Sequence, residues 1–285
     1  MRRLVVLLAL VMLVIGCGGS DDAGPAEPVA LPEEPGIIHV HGLARNPADG
    51  ALFIATHTGL FRLGEGGSPQ RVGGSDQDTM GFSVLGPDRF LGSGHPGSAP
   101  KDPPFLGLIE SRDAGRRWRP VSLRGKVDFH ALASQGSRVY GFGSDWDTRE
   151  GRFLASRDGG GSWVSRQVPE PITSLALDPQ DGRHLLAAGA ARSYVSQDEG
   201  ETWRPLPLPG GFVTWTELLG PVSVGIDGTV RRADEPLGEW RETGRVDGEP
   251  AAVGSAEDEL LVATHDGRVL ASRDAGSRWT DLLRG

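Results

Sequence analysis

Ser111-Arg-Asp113-Ala-Gly115-Arg-Arg-Trp118 is the stretch that decides the fold, because the chain repeats it. The other copies are Ser156-Arg-Asp158-Gly-Gly160-Gly-Ser-Trp163, Ser196-Gln-Asp198-Glu-Gly200-Glu-Thr-Trp203 and Ser272-Arg-Asp274-Ala-Gly276-Ser-Arg-Trp279. The tryptophans stand 45, 40 and 76 residues apart, so the last gap is about two periods. Ala233-Asp-Glu235-Pro-Leu237-Gly-Glu-Trp240, halfway through that gap, is a decayed copy that keeps the tryptophan. A fixed period near forty residues marks an array of identical supersecondary units.

The chemistry of the repeat is local. An Asp in a hairpin turn accepts backbone N–H bonds. The Gly supplies a positive φ without a steric cost. The Trp buries a large apolar surface against a neighbouring sheet. The motif therefore reads as a structural staple and not as a catalytic group.

Short strand-like runs precede each copy: Ile37–Leu43, Leu52–His57 and Gly59–Leu63, then Met80–Leu85 and Arg89–Ser93, then Phe129–Ala133 and Arg138–Phe142. Further on come Ile172–Leu177 and His184–Ala188, Phe212–Leu219 and Val222–Ile226, and Ala251–Gly254 and Glu259–Thr264. With the strands flanking each turn, every unit has four. That predicts an all-β chain, a β-propeller of about six four-stranded blades built from residues 36–285. No stretch has helical periodicity, and 43 glycines and 21 prolines argue for many turns.

Propeller geometry then places residues. Innermost strands start, and second strands end, on one face of the disc; the repeated turns lie on the other. Innermost-strand starts carry His39 and His41, Asp78 and Met80, Asp128 and His130, Pro171 and Thr173, Thr214 and Thr216, and Pro250 and Ala252. Second-strand ends carry His57, His95, Asp145, Ala190, Asp227 and His265. Six of the seven histidines fall at these positions, all but His184. His39 and His41 are expected on one side of a strand, because side chains alternate.

The expected ligand face is therefore His39, His41, His57, Met80, His95, His130, Asp227 and His265. Three uses compete. The face binds a glycan or a protein. Alternatively His39, His41, His57, His95 and His130 hold a transition metal, with imidazole suiting zinc and copper and the Met80 thioether suiting Cu(I). Alternatively Asp78, Asp128, Asp145 and Glu110 are the acids of a glycoside hydrolase, which needs two carboxylates roughly 5 to 9.5 Å apart. A binding module is the leading expectation, and no motif calls for a cofactor beyond copper or zinc.

The N-terminus reads as an export signal. Arg2 and Arg3 precede the twelve-residue apolar run Leu4–Ile15, shorter than the roughly 20 residues that span a bilayer. Cys17, the chain's single cysteine, follows Gly16, which excludes an internal disulfide. Residues 18–35, rich in Gly, Pro and acids, are expected to be a disordered tether after a signal peptide over residues 1–17. The net charge is −9 and the only lysines are Lys101 and Lys126, so no basic stripe exists for nucleic acid.

Val14-Ile15-Gly16-Cys17 resembles the lipobox of bacterial lipoproteins, which implies acylation of Cys17 and attachment to the extracytoplasmic side of the cell membrane. Acyl chains bury at about 0.8 kcal/mol per methylene. The four turns resemble the Asp-box, or BNR repeat, of sialidase-like propellers. With HVHGLARNPADGALFIATHTGLFR, MGFSVLGPDRFLGSGHPG and DFHALASQGSRVYG, the chain from Ile37 onward resembles bacterial lipoproteins commonly labelled glycosyl hydrolases or exo-α-sialidases. More distantly it resembles photosystem II assembly-factor propellers and the sortilin ectodomain, which bind proteins. Sialidases hold their substrate with three arginines and a Tyr–Glu pair. This chain has no Arg-Ile-Pro motif, only Tyr140 and Tyr194 as tyrosines, and no arginine at the inferred ligand positions. A sialidase mechanism is not expected.

Overall fold

The computed structural model describes residues 37, 39–64, 67–98, 103–256 and 258–284. The Cys17 lipobox and the tether lie outside the described residues. The propeller sequence belongs to a compact unit, Pro35–Gly285.

Consecutive quartets of antiparallel strands repeat along the chain. The first is β1 (Val40–Arg45), β2 (Leu52–Thr56), β3 (Gly59–Leu63) and β4 (Pro69–Arg71). The second is β5 (Asp78–Gly86), β6 (Arg89–His95), β7 (Leu108–Ser111) and β8 (Arg119–Ser122). The third is β9 (Val127–Gln135), β10 (Arg138–Asp145), β11 (Gly151–Ser156) and β12 (Val164–Arg166). The fourth is β13 (Ile172–Leu177), β14 (Leu185–Gly189), β15 (Arg192–Ser196) and β16 (Arg204–Pro209). The fifth is β17 (Gly211–Thr216), β18 (Gly220–Gly225), β19 (Thr229–Arg232) and β20 (Arg241–Arg245). The last is β21 (Pro250–Ala256), β22 (Glu259–Thr264), β23 (Val269–Ser272) and β24 (Thr280–Leu283).

The arrangement is that of an all-β propeller. Hydrogen bonding divides it differently from the expected set of separate blades: four four-stranded sheets stand alone, and the first and last quartets join in one eight-stranded sheet. The junction is a parallel pairing of β1 with β21, at Ala44 and Ser255. Innermost strands β1, β5, β9, β13, β17 and β21 touch one another in cyclic order.

Burial follows radius. Second strands are covered on both faces by neighbouring sheets, so Leu52–Thr56, Leu185–Gly189 and Glu259–Thr264 are buried at every residue. That explains why they read as continuous apolar runs rather than alternating ones. Outermost strands such as Val164–Arg166 are largely exposed.

The repeated turns close on themselves as expected. In the third quartet the Ser156 hydroxyl donates to Asp158 (2.8 Å) and accepts from the Gly160 N–H (2.9 Å), while Asp158 accepts from the Ser162 N–H (2.9 Å). The same bonds recur from Ser111, Asp113 and Gly115, from Ser196, Asp198 and Gly200, and from Ser272, Asp274 and Gly276. Gly160 has φ +90° and lies against Leu108 of the preceding sheet, leaving no room for a Cβ. Trp163 then packs on Phe129, with ring centroids 5.2 Å apart, and its indole N–H donates to Ser122 of the preceding sheet. Trp118 packs in the Phe53 and Phe90 core, and Trp203 meets Phe153 edge-on. Trp279 donates to the Arg245 carbonyl. The decayed copy keeps this role: Trp240 packs on the core of the fourth quartet.

Candidate functional site

A cavity of about 810 Å³ runs between the innermost strands. A repeated backbone irregularity aims side chains into it. β1, β5, β9, β13 and β21 each carry a register shift near their starts, leaving His41, Met80, His130, Thr173 and Ala251 as the extra residues. Such a β-bulge re-aims one side chain out of the normal alternation. All five line the cavity. The bulge residues in the first three quartets are thus His, Met and His, while later ones are small.

His39 lies just before β1 and not within a strand, with φ +51°. A left-handed non-glycine residue is uncommon and concentrates at functional sites. Alternation therefore does not bring His39 and His41 together, as the sequence suggested; the left-handed backbone and the bulge do. Their ring centroids are 5.2 Å apart. His57 follows the end of β2 and lies 5.0 Å from His39 and 4.4 Å from His41. His265, after β22, lies 5.6 Å from His39.

Asp78 anchors this cluster. Its Oδ2 is 2.8 Å from His57 Nδ1, and its Oδ1 is 3.4 Å from His41 Nε2. The second contact is not aligned for hydrogen bonding, so His41 Nε2 and Asp78 Oδ1 are both buried without a hydrogen-bond partner. Burial pushes the Asp78 carboxyl up, but the His41 and His57 imidazoles outweigh it and hold the carboxyl below its ordinary range. Burial, helped by the crowding of His41, His57 and His265, pushes the His39 imidazole down.

A second cluster adjoins the first, because Asp78 pairs with His95 across β5 and β6. The buried Asp128 carboxylate has Oδ2 2.9 Å from His130 Nε2 and 3.2 Å from His95 Nε2. The His130 bond to Asp128, working against burial, raises the His130 imidazole. Asp128 Oδ1 is buried without a partner. His95 Nδ1 lies 2.9 Å from the Pro104 carbonyl.

Three sequence candidates fall elsewhere. Asp145 pairs with Arg152 and accepts N–H bonds from Asp147 and Thr148, so it caps its own loop. The bulge at His130 shifts register, and Ser144 rather than Asp145 stands opposite Asp128. Asp227 is bonded to Thr229, and Ile226 directly follows β18. Glu110 lies mid-sheet between Arg89 and Arg112. In the last quartet the cavity-lining bulge is Ala251, one residue before the expected Ala252.

The sequence reading missed an aromatic shelf. Phe105 meets His95 at 5.6 Å and Trp146 edge-on at 5.1 Å. Trp146 is 36% exposed, with the Arg149 guanidinium 4.0 Å from its ring. The signal was a tryptophan outside the repeat.

No protein-family model matches the chain, and no curated protein matches it. Solved structures do. A chain of a nidogen/laminin complex is similar with a TM-score of 0.60 at 14% identity, over 81% of this chain and 92% of that one. YCF48 from Cyanidioschyzon merolae is similar with a TM-score of 0.53 at 14% identity, over 89% and 86%. A GH74 xyloglucanase from Xanthomonas campestris is similar with a TM-score of 0.51 at 18% identity, over 87% of this chain and 46% of that one. At such identities the likeness is one of fold.

Proposed function

We propose that the protein is a ligand-binding module, a six-bladed propeller held by lipid on Cys17 at the extracytoplasmic side of a membrane. The eight-stranded sheet is read as two blades meeting at their inner strands. One observation carries the reading: His39, His41 and His130 line the cavity, and His57, His265, Asp78, Asp128 and His95 gather around them, with Phe105 and the exposed Trp146 beside His95. Packing alone would be served by apolar residues there. Polar groups gathered at an open cavity beside an aromatic face are what a ligand site needs. The resemblance to propellers that bind proteins, and the fold shared with a chain of a nidogen/laminin complex, support a protein or peptide ligand; the exposed Trp146 face also suits a sugar ring.

The test uses the full chain in mild detergent on peptide and glycan arrays. A triple variant, His57→Ala, His95→Ala and Trp146→Ala, alters only part-exposed side chains. Ligands of the wild type should bind the variant at least about tenfold more weakly, which is about 1.4 kcal/mol. Unchanged binding by a variant with the wild-type melting temperature would reject the site.

A further inference from the structure

We propose that His41, His57 and Asp78, joined by His39, form a site for one divalent late first-row transition-metal ion, zinc or copper(II). The inference deepens the reading of the cavity mouth as a ligand site and rests on it.

The first ground is convergence. One donor atom from each of His41, His57 and Asp78 lies within 4.8 Å of the others. They come from three different places in the chain, the bulge of β1, the end of β2 and the start of β5, so local sequence does not force them together. His39 adds a third ring about 5 Å from both histidines.

The second ground is an incomplete network. If these groups served only to satisfy one another, each buried atom would have a partner. Asp78 Oδ2 does, in His57 Nδ1. His41 Nε2 and Asp78 Oδ1 do not; they face each other at 3.4 Å without a hydrogen bond. The exposed His39 ring packs on those of His41 and His57, and the exposed His265 ring on that of His39. Leaving a buried polar atom unbonded is costly to the fold. A cation between His41 Nε2 and Asp78 Oδ1 would supply the missing partner for both.

The third ground is donor chemistry. Imidazole with a single carboxylate suits zinc and copper(II), which take nitrogen ligands. It does not suit calcium or magnesium, which require six or more oxygens. The bulge that the first inner strand shares with four others holds His41, and the left-handed His39 backbone brings a second ring beside it. His39 and His41, two of the three imidazoles, also line the cavity.

The experiment takes the full chain, free of any polyhistidine tag, stripped with chelator and then titrated with Co(II), Zn(II) or Cu(II). Visible absorption follows Co(II), elemental analysis after desalting gives the bound Zn(II) or Cu(II), and a melting curve follows stability. About one ion per chain is expected, with a higher melting temperature when it is bound. His41→Ala and Asp78→Asn should each weaken retention about tenfold or more. His57→Gln, at a part-exposed ring, should do the same without loss of fold. His184→Ala, outside the cluster, should leave retention unchanged. Absence of stoichiometric metal in the wild type, or equal retention in His57→Gln, would overturn the proposal. Repeating the array screen with stripped and loaded protein separates the two readings. If no metal binds but the mouth variant still loses its array ligands, only the metal proposal falls. If metal binds and no array ligand depends on the mouth, the metal site stands and the peptide or glycan reading falls.

Discussion

At the residue level, two carboxylates of the repeated turns are held firmly in their charged form. Asp158 accepts bonds from the Ser162 hydroxyl and N–H and from Ser156, and its carboxyl is lowered to about 2. Asp274, bonded first to the Arg278 side chain and then to its N–H, is also lowered to about 2. In the unfolded chain both return to about 3.9. Groups lowered on folding contribute stability that is complete above the unfolded value and disappears as pH falls through the folded one. Between about pH 4 and about pH 2, the double variant Asp158→Asn, Asp274→Asn should lose less stability than the wild type. The check is urea unfolding at several pH values, and parallel losses would contradict the assignment. Both side chains lie at the surface, so the effect is small.

At the scale of the element, each turn holds its own sheet while its tryptophan holds the sheet before it. Trp163 spans that joint through Phe129 and Ser122. Trp163→Ala should destabilise by about 3 kcal/mol, read as a lower urea midpoint with an unchanged slope. A loss below about 1 kcal/mol would mean that the joint relies on other contacts. Gly200, Gly160 and Gly276 stand at the same place in their turns, each against the third strand of the preceding sheet. This spatial rule explains a spacing that the sequence displays only as a repeat. Strand identity was legible in the same way: Gly59–Leu63, Ile172–Leu177 and Glu259–Thr264 run as their composition implies. What composition could not show is the bulge. At His130 it adds one residue to the inner strand, so Asp145, at the end of β10 as read, faces Val127 and its own loop while Ser144 faces Asp128.

For the molecule as a whole, the telling feature is how the ring closes. Among the described residues no strand is exchanged between quartets: β1 belongs to the first and β24 to the last. Closure rests on the pairing of β1 with β21 and on an apolar seam in which Val40, Leu43 and Ile54 meet Ala252, Leu261 and Ala263. Gly254 allows that approach, because a Cβ there would strike the Leu43 carbonyl. Leu261 is fully buried in the seam. Leu261→Ala should cost about 3 kcal/mol and should still give one unfolding transition, since each sheet is buried only by its neighbours. Two separated transitions in calorimetry would show that the ring opens at the seam before the rest unfolds.

The all-β repeat, the four bonded turns, the packing tryptophans and the placing of histidines near strand ends are legible along the chain. Those properties are local or periodic: a turn is fixed by Ser, Asp and Gly a few residues apart, and alternation of strands recurs with each unit. Folding settled which histidines share a carboxylate, which atoms are left unpaired, that Trp146 stands against Phe105 beside His95, and how the first sheet meets the last. These depend on bulges, on a left-handed residue at His39 and on contacts between segments more than a hundred residues apart, where a shift of one position redirects a side chain and no local pattern records it.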